Sequence, residues 1–489
     1  MKKKFVINLI FLLFLNVLVK PFWIFGVERS VQNIVGASEF GFYFSLLNFS
    51  MILYIILDLG IINFNNRNIA QNPSILSKHF SNIIALKFLL AVVYGILSVL
   101  IATIIGYDKR QMMILGVLLF NQFLLSTILY LRSNISGLQY FKTDSMISVL
   151  DRLLMIIFCS ILIWGGFTDH QMKIELFVLS QTAAYLLTAI TAFFIVLGKA
   201  DFFKLNFDFE FFRVFLKQSY PYALLTLLMA FYNRIDSVML ERLLPDGKEQ
   251  AGIYAQAYRI LEAASMFGFL FAGLLLPMFA KMLKKKESVE DLSKLSFSMI
   301  IVPAIAMIGV CVFYSEEIMS LMYWEHVSVS SQVLSVIIIG FAGVCTTYIF
   351  GTLLTANGSL KYLNIMATGG MILNIVLNLI LIPKYQVLGA AISSMVTQIA
   401  TGISQLLIST KLFKFRINYK LILSLCLFIA ISILLYWQLK FDNVQWYYTA
   451  FASITISIVF AFILGMFKLK PIFEILKANQ ENKLKKPID

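Results

Sequence analysis

Residues 83–105 read IIALKFLLAVVYGILSVLIATII, with Lys87 as the one charge, and this stretch decides the fold. An all-round apolar helix of about 20 residues crosses the roughly 30 Å hydrocarbon core of a bilayer. Lipid offers no partners to backbone N–H and C=O groups, so only helices and closed barrels span it. Working outward, comparable apolar runs predict spans over 5–26, 39–63, 80–106, 111–131, 146–168, 173–198 and 214–240. They continue over 251–280, 295–314, 331–355, 361–382, 388–410, 420–439 and 445–467. Fourteen spans with short loops predict an all-α integral membrane protein without room for an extramembrane catalytic domain. A chain that is 60% hydrophobic and 13% charged is neither soluble and globular nor disordered.

The net charge of +14 reads as topology, not as a nucleic-acid partner. With the amino end inside, 27 of the 40 Lys and Arg residues fall in or beside loops on that side and 8 on the other. That asymmetry places both termini in the cytoplasm. Met1-Lys2-Lys3-Lys4 precedes an apolar run with no small-x-small cleavage site, so it reads as the start of a retained helix. The tail after Lys470-Pro471 is polar and basic, suited to lie on anionic membrane lipids. Cys159, Cys311, Cys345 and Cys426 are scattered through apolar runs and read as packing residues. His79, His170 and His326 form no metal-ligand cluster in the sequence, and no cofactor is expected.

The two halves resemble each other. Val27-Glu28-Arg29 then Gly41-Phe42-Tyr43 is echoed by Leu240-Glu241-Arg242 then Gly252-Ile253-Tyr254. Gly137-Leu138-Gln139-Tyr140-Phe141 is echoed by Gly358-Ser359-Leu360-Lys361-Tyr362-Leu363. Six spans separate each pair, so the halves enter the membrane in the same sense, as parallel repeats about an axis along the membrane normal. The expected organisation is a first six-helix bundle over 1–198, a loop over 199–213, a second bundle over 214–411, and two extra helices plus a basic tail over 412–489. A central cavity is expected between the bundles.

Several positions resemble the Wzx-type O-antigen and polysaccharide flippases of the multidrug/oligosaccharidyl-lipid/polysaccharide exporter superfamily. Asp58-Leu59-Gly60 followed by Arg67-Asn68-Ile69-Ala70 is similar to that family's Asp-Leu-Gly then Arg pattern. Asp236 followed by Gly252-Ile253-Tyr254-Ala255-Gln256-Ala257 is similar to its Asp then Gly-x-Tyr-x-x-Ala pattern. Asn374, Asn378, Ile382-Pro383 and Gly389-Ala390-Ala391 resemble its spans 11 and 12. The resemblance implies flipping of an undecaprenyl-diphosphate-linked oligosaccharide, such as the O-antigen of lipopolysaccharide, by alternating access in a bacterial inner membrane. A polysaccharide polymerase and a chain-length regulator are the partners it suggests.

Charges at membrane depth are costly, about 2.5–3.5 kcal/mol each on insertion scales, and each needs a reason. Lys87 and Arg152 lie near the predicted cytoplasmic ends of their spans and can snorkel outward. Lys20, Arg234 and Arg259 fall in the predicted outer half and form the candidate cationic patch for the diphosphate. For Lys20, snorkelling beside Pro21 competes with that role. Lys20 also shares a helix face with Asn16. Arg259 has Glu262 three residues on as an alternative partner, whereas Arg234 and Asp236 point to opposite sides of one helix. Asp58, Arg67, Asp236 and Glu262 are candidates for coupling to a proton or sodium ion, or for gating; helix-to-helix pairing is the plainer role for the carboxylates. Pro221 is a candidate kink.

A drug or small-metabolite exporter of the same superfamily is the second reading. An integral glycosyltransferase or polymerase is disfavoured by the short loops and by the lack of a phosphate loop or nucleotide-sugar motif. A passive scaffold does not account for the charges retained within spans.

Overall fold

The computed structural model describes residues 18–62, 65, 69, 74–165, 172–200, 209–416, 418–440 and 444–466. Asn16, Arg67, His170, the basic amino terminus and the tail lie outside them. Every described element is helical. A π-helical turn, Trp23–Glu28, leads into α1 (Arg29–Ile52), followed by α2 (Ile75–Ile105), α3 (Lys109–Gly137), α4 (Phe141–Trp164) and α5 (Ile174–Leu197). Next come α6 (Phe209–Leu243), α7 (Gly247–Lys284), α8 (Glu290–Phe313), α9 (Val327–Ala356, with local 3-10 and π turns) and α10 (Leu360–Tyr385). The last three are α11 (Val387–Phe413), α12 (Tyr419–Leu439) and α13 (Trp446–Ile463).

Among the described residues, 12 helices are long and apolar enough to cross a membrane, and each coincides with a predicted span. The first two predicted spans differ. Helix continues beyond residue 26 through the π turn into α1, and its first break is Gly36, with φ 82° and ψ 166°. Only glycine adopts that conformation freely. Beyond Gly36, α1 buries Ser45, Asn48 and Ser50, a polar content that explains its low apolarity.

The chain divides into two compact units. One comprises Met1–Arg259, Met322–Ser330 and Ala367–Ser394; the other comprises Ile260–Leu321, Ser331–Met366 and Met395–Asp489.

Within the first unit, the two repeated Gly-x-Tyr motifs meet each other. A Cβ on Gly41 would overlap the Lys248 carbonyl oxygen, and a Cβ on Gly252 would overlap the Ala37 carbonyl oxygen. Each carbonyl lies four residues before the opposite glycine, so the contact is reciprocal, as a twofold relation requires. The Gln32 side chain then donates to the Gly252 carbonyl at 2.9 Å. The segment 322–330 also binds α1: the Met322 carbonyl accepts from Arg29 at 2.6 Å and Asn33 at 2.9 Å. Glu325 accepts from the Ala37 N–H freed by the Gly36 break, at 3.1 Å.

The second unit is held by a core of Leu275, Phe279, Val289, Ile349, Phe350 and Leu353. In the same unit α12 is tied to α8 by the buried Tyr436, whose hydroxyl donates to the Ala306 carbonyl at 2.8 Å.

The Gly252→Ala variant is expected to destabilise the protein by about 1–3 kcal/mol or more, because its neighbour is backbone that no rotamer can move aside. A lowered melting temperature of the detergent-solubilised protein is the readout; an unchanged one would refute the close crossing.

Candidate functional site

The first unit contains a series of charges at membrane depth. At a rise of 1.5 Å per residue, the 16 residues from Lys20 to Gly36 span roughly 24 Å, and the 8 from Glu28 to Gly36 about 12 Å. Glu28 ends the π turn, and such turns recur at functional sites. Its carboxylate accepts from Arg259 Nη2 at 2.8 Å, with both side chains buried. The Arg259 guanidinium also stacks 5.1 Å from the centre of Phe44.

Deeper along the same helix is a second group. Lys20 is half-buried and lies in electrostatic range of Arg152, Asp151 and Arg132. This corrects the expected depth of Lys20: because its helix runs on to Gly36, the lysine lies toward the α3–α4 turn and not beside the Gly36 end. Arg152 does not snorkel freely either. Its guanidinium sits 5.6 Å from the Trp23 ring and 6.0 Å from the Tyr185 ring. Trp23 stacks on Phe177 at 5.9 Å, and Phe177 packs edge-on against Tyr43. The Tyr43 hydroxyl accepts from Gln181 at 2.9 Å.

Arg234 donates to Asn48 Oδ1 at 3.1 Å, and Asn48 in turn donates to Ser237 at 2.9 Å. Phe44 and Asn48 are one turn apart on α1, so Arg259 and Arg234 dock on neighbouring turns of one helix. The structure thus brings these two together through α1 and places Lys20 nearer Arg152, which is itself within Coulombic reach of Glu28. Arg259 pairs with Glu28, which follows the first predicted span and is helical in the structure. Glu262, its expected alternative, is half-buried one turn further on, within the second compact unit.

Asp236 is fully buried in a cage of donors. Its Oδ1 accepts from Asn374 at 3.0 Å and Asn378 at 2.7 Å, and its Oδ2 accepts from Tyr254 at 2.8 Å. The carboxylate and both asparagines from the sequence motifs are therefore one constellation.

Asp58 closes a break in the second predicted span. Leu59 and Gly60 both have positive φ, 42° and 86°, and Asp58 accepts from the N–H groups of Gly60 and Ile62 at 3.2 Å. The break frees the Leu57 carbonyl, which accepts from Lys87 Nζ at 3.0 Å and from Ser126 at 3.1 Å. Lys87 also donates to Ser126 at 2.6 Å and is 2% exposed, so it is committed to the interior and does not snorkel. Irregular backbone inside a membrane needs such internal partners.

With this geometry in place, comparison with known proteins identifies the class. A family model described as polysaccharide biosynthesis protein matches residues 6–283, more than half of the chain, and the chain belongs to that family. It is 27% identical over 192 residues to the capsular polysaccharide biosynthesis protein CapF of Staphylococcus aureus, a match covering 38% of this chain and 46% of that protein. Its fold is similar to that of the lipid II flippase MurJ in an inward closed conformation, with a TM-score of 0.67 at 17% identity over 94% of this chain and 98% of that one. It is also similar to an inward-facing multidrug resistance MATE family transporter of the MOP superfamily, with a TM-score of 0.61 at 13% identity over 80% and 94% of the two chains. At these identities the two likenesses establish the fold.

Replacing Glu28 by Gln is expected to cost about 3–5 kcal/mol of stability by leaving Arg259 buried without its counter-charge. The double variant Glu28→Leu with Arg259→Met is expected to recover most of that loss. A double-mutant cycle on thermal unfolding measures the coupling, and additive effects would rule the pair out.

Proposed function

We propose that this chain is a flippase that carries an undecaprenyl-diphosphate-linked oligosaccharide, an O-antigen or other surface polysaccharide unit, from the cytoplasmic to the outer leaflet of a bacterial inner membrane by alternating access. The family assignment supplies the polysaccharide context. The observation that carries the reading is the set of cations held at membrane depth in the first unit: Lys20, Arg152, Arg234 and Arg259. A cargo with an anionic diphosphate and a polar glycan needs a polar, positive route through the hydrocarbon. On this reading Arg234, which donates to Asn48 at 3.1 Å, is the cation that cargo reaches from α6. Both termini face the cytoplasm, as the distribution of Lys and Arg supports.

Asp236 is the candidate coupling group. A carboxylate held by two amides, a phenol and the Ser394 hydroxyl can exchange those donors for a proton or a sodium ion as the helices α6, α10 and α11 shift. A polymerase and a chain-length regulator would act on the flipped product. A drug exporter is the alternative, favoured by the MATE likeness; the longer overlap with the lipid II flippase, 94% of this chain against 80%, supports the flippase.

In a strain lacking its own polysaccharide flippase, the wild-type chain is expected to restore surface polysaccharide. The Arg234→Ala variant should insert normally yet display less than about a tenth as much, since a charge-assisted contact to phosphate is lost. Restored drug efflux without restored polysaccharide would reverse the ranking. Full display by Arg234→Ala would remove that residue from the route.

A further inference from the structure

The second predicted span is not one continuous helix. It tightens to a 3-10 turn over Tyr54–Leu57 and then passes through two left-handed residues, Leu59 and Gly60. The helical ladder fails at one carbonyl. The Ile61 N–H, which a regular α-helix would give to Leu57, turns to the Asp58 carbonyl at 2.8 Å instead. Side chains of two other helices replace the lost bond. Lys87 of α2 and Ser126 of α3 both donate to the Leu57 carbonyl, at 3.0 Å and 3.1 Å, and Lys87 also donates to Ser126 at 2.6 Å. The Asp58 carboxylate takes the Gly60 and Ile62 N–H groups at 3.2 Å, with the Lys87 ammonium as its nearby counter-charge.

The two sides of this join are tied to different helices. On the α1 side, Asn48 donates to Ser237 of α6 and Gln32 to the Gly252 carbonyl of α7, both at 2.9 Å. On the far side, Asn65 donates to Ser133 and Asn134 of α3, at 2.8 Å and 3.0 Å. The end of α1 is fixed to α2, where Tyr94 donates to the Ser50 carbonyl at 2.8 Å, so the slack lies between Ser50 and Asn65. Within that stretch the join is where the ladder is already open, and Gly60 has the conformational freedom to turn there. Its holding bonds are carried by side chains, which can follow a backbone rotation that an intrahelical bond would resist. The Lys87 stem lines a cleft of about 450 Å3 with Ile84, Phe123 and Phe193, which leaves the side chain room to swing.

We propose that residues 57–60 are a hinge of the transport cycle and that Lys87 is its positioning residue. Lys87 keeps the Leu57 carbonyl out of the helical ladder, and its charge balances Asp58 beside it. A neutral donor could perform the first task. Only a cation performs both without leaving Asp58 unanswered at membrane depth. In this role Lys87 touches no cargo and acts through the second span. The inference rests on alternating access, which the flippase and exporter readings share.

The test uses the full chain in nanodiscs, spin-labelled through Lys109→Cys and Asp246→Cys, with the exposed Cys426 changed to serine. These positions flank the contact of Gln111 with Glu241, at 2.7 Å, which joins the ends of α3 and α6 in this structure. The otherwise wild-type chain is expected to populate two label separations, joined and parted. Lys87→Met should lower the melting temperature by several degrees, because Asp58 loses its counter-charge. It should also reduce the parted population at least about tenfold, the effect of losing one hydrogen bond from a charged donor. Adding Asp58→Asn to Lys87→Met should recover the melting temperature but not the parted population, since the Leu57 carbonyl is still left to Ser126. Recovery of both together would make the cluster merely structural and overturn the hinge. Two separations in Lys87→Met alone, or one separation in the otherwise wild-type chain, would overturn it as well. Complementation reports on the cargo separately. A chain that shows both separations yet restores no surface polysaccharide would overturn the flippase reading and leave the hinge in place.

Discussion

Hydrocarbon cannot solvate an ion, and that constraint organises the interior of this protein. Every charge carried to membrane depth must be answered by another group of the chain or by something that visits it. The first unit answers its charges in three ways. Arg259 and Glu28 neutralise each other. Lys87 is answered by the Leu57 carbonyl, freed where the second span breaks, by the Ser126 hydroxyl of α3 and by the nearby Asp58 carboxylate. Asp236 sits within a shell of neutral donors. A buried ion pair contributes little net stability, but losing one partner is severe, so such pairs fix which helices lie side by side.

These answers depend on close helix packing, which small residues provide. In a bilayer helices gain little from hydrophobic association and rely on van der Waals contact and interhelical hydrogen bonds. The reciprocal approach at Gly41 and Gly252 lets backbone meet backbone, and α1 and α7 then run closely enough for Arg259 to cross to the helix that carries Glu28 and Phe44. The repeat has also diverged in a useful direction. Tyr43 and Tyr254 occupy matching places in the two motifs, yet one accepts from the neutral Gln181 and the other donates to the carboxylate of Asp236. One ancestral packing solution thus supports two different polar sites.

Much of this was legible in the sequence, for a physical reason. Span positions follow from apolar length alone, and twelve of them coincide with helices of the structure. The Gly-x-Tyr repeat was legible because a glycine at a close crossing tolerates no substitute. The position of Lys20 along its helix is less legible, because the polar residues after 26 resemble a span end. Yet Val27, Val31 and Val35 continue at helical spacing, and Gly36 is the first residue that can break the turn. Extending the helix to Gly36 also places Glu28 on it, as the partner of Arg259. The roles of Arg152 and Lys87 were not legible. Both depend on groups distant in sequence: the Trp23 and Tyr185 rings for one, the carbonyl of Leu57 for the other.

Shared counter-ions couple these charges to one another. Asp151 reaches Arg152 at 3.8 Å, and Glu28, which accepts from Arg259 at 2.8 Å, also stands within Coulombic reach of Arg152. A few carboxylates thus answer more cations than their own number, and a shift of one helix changes the balance of charge felt on the next.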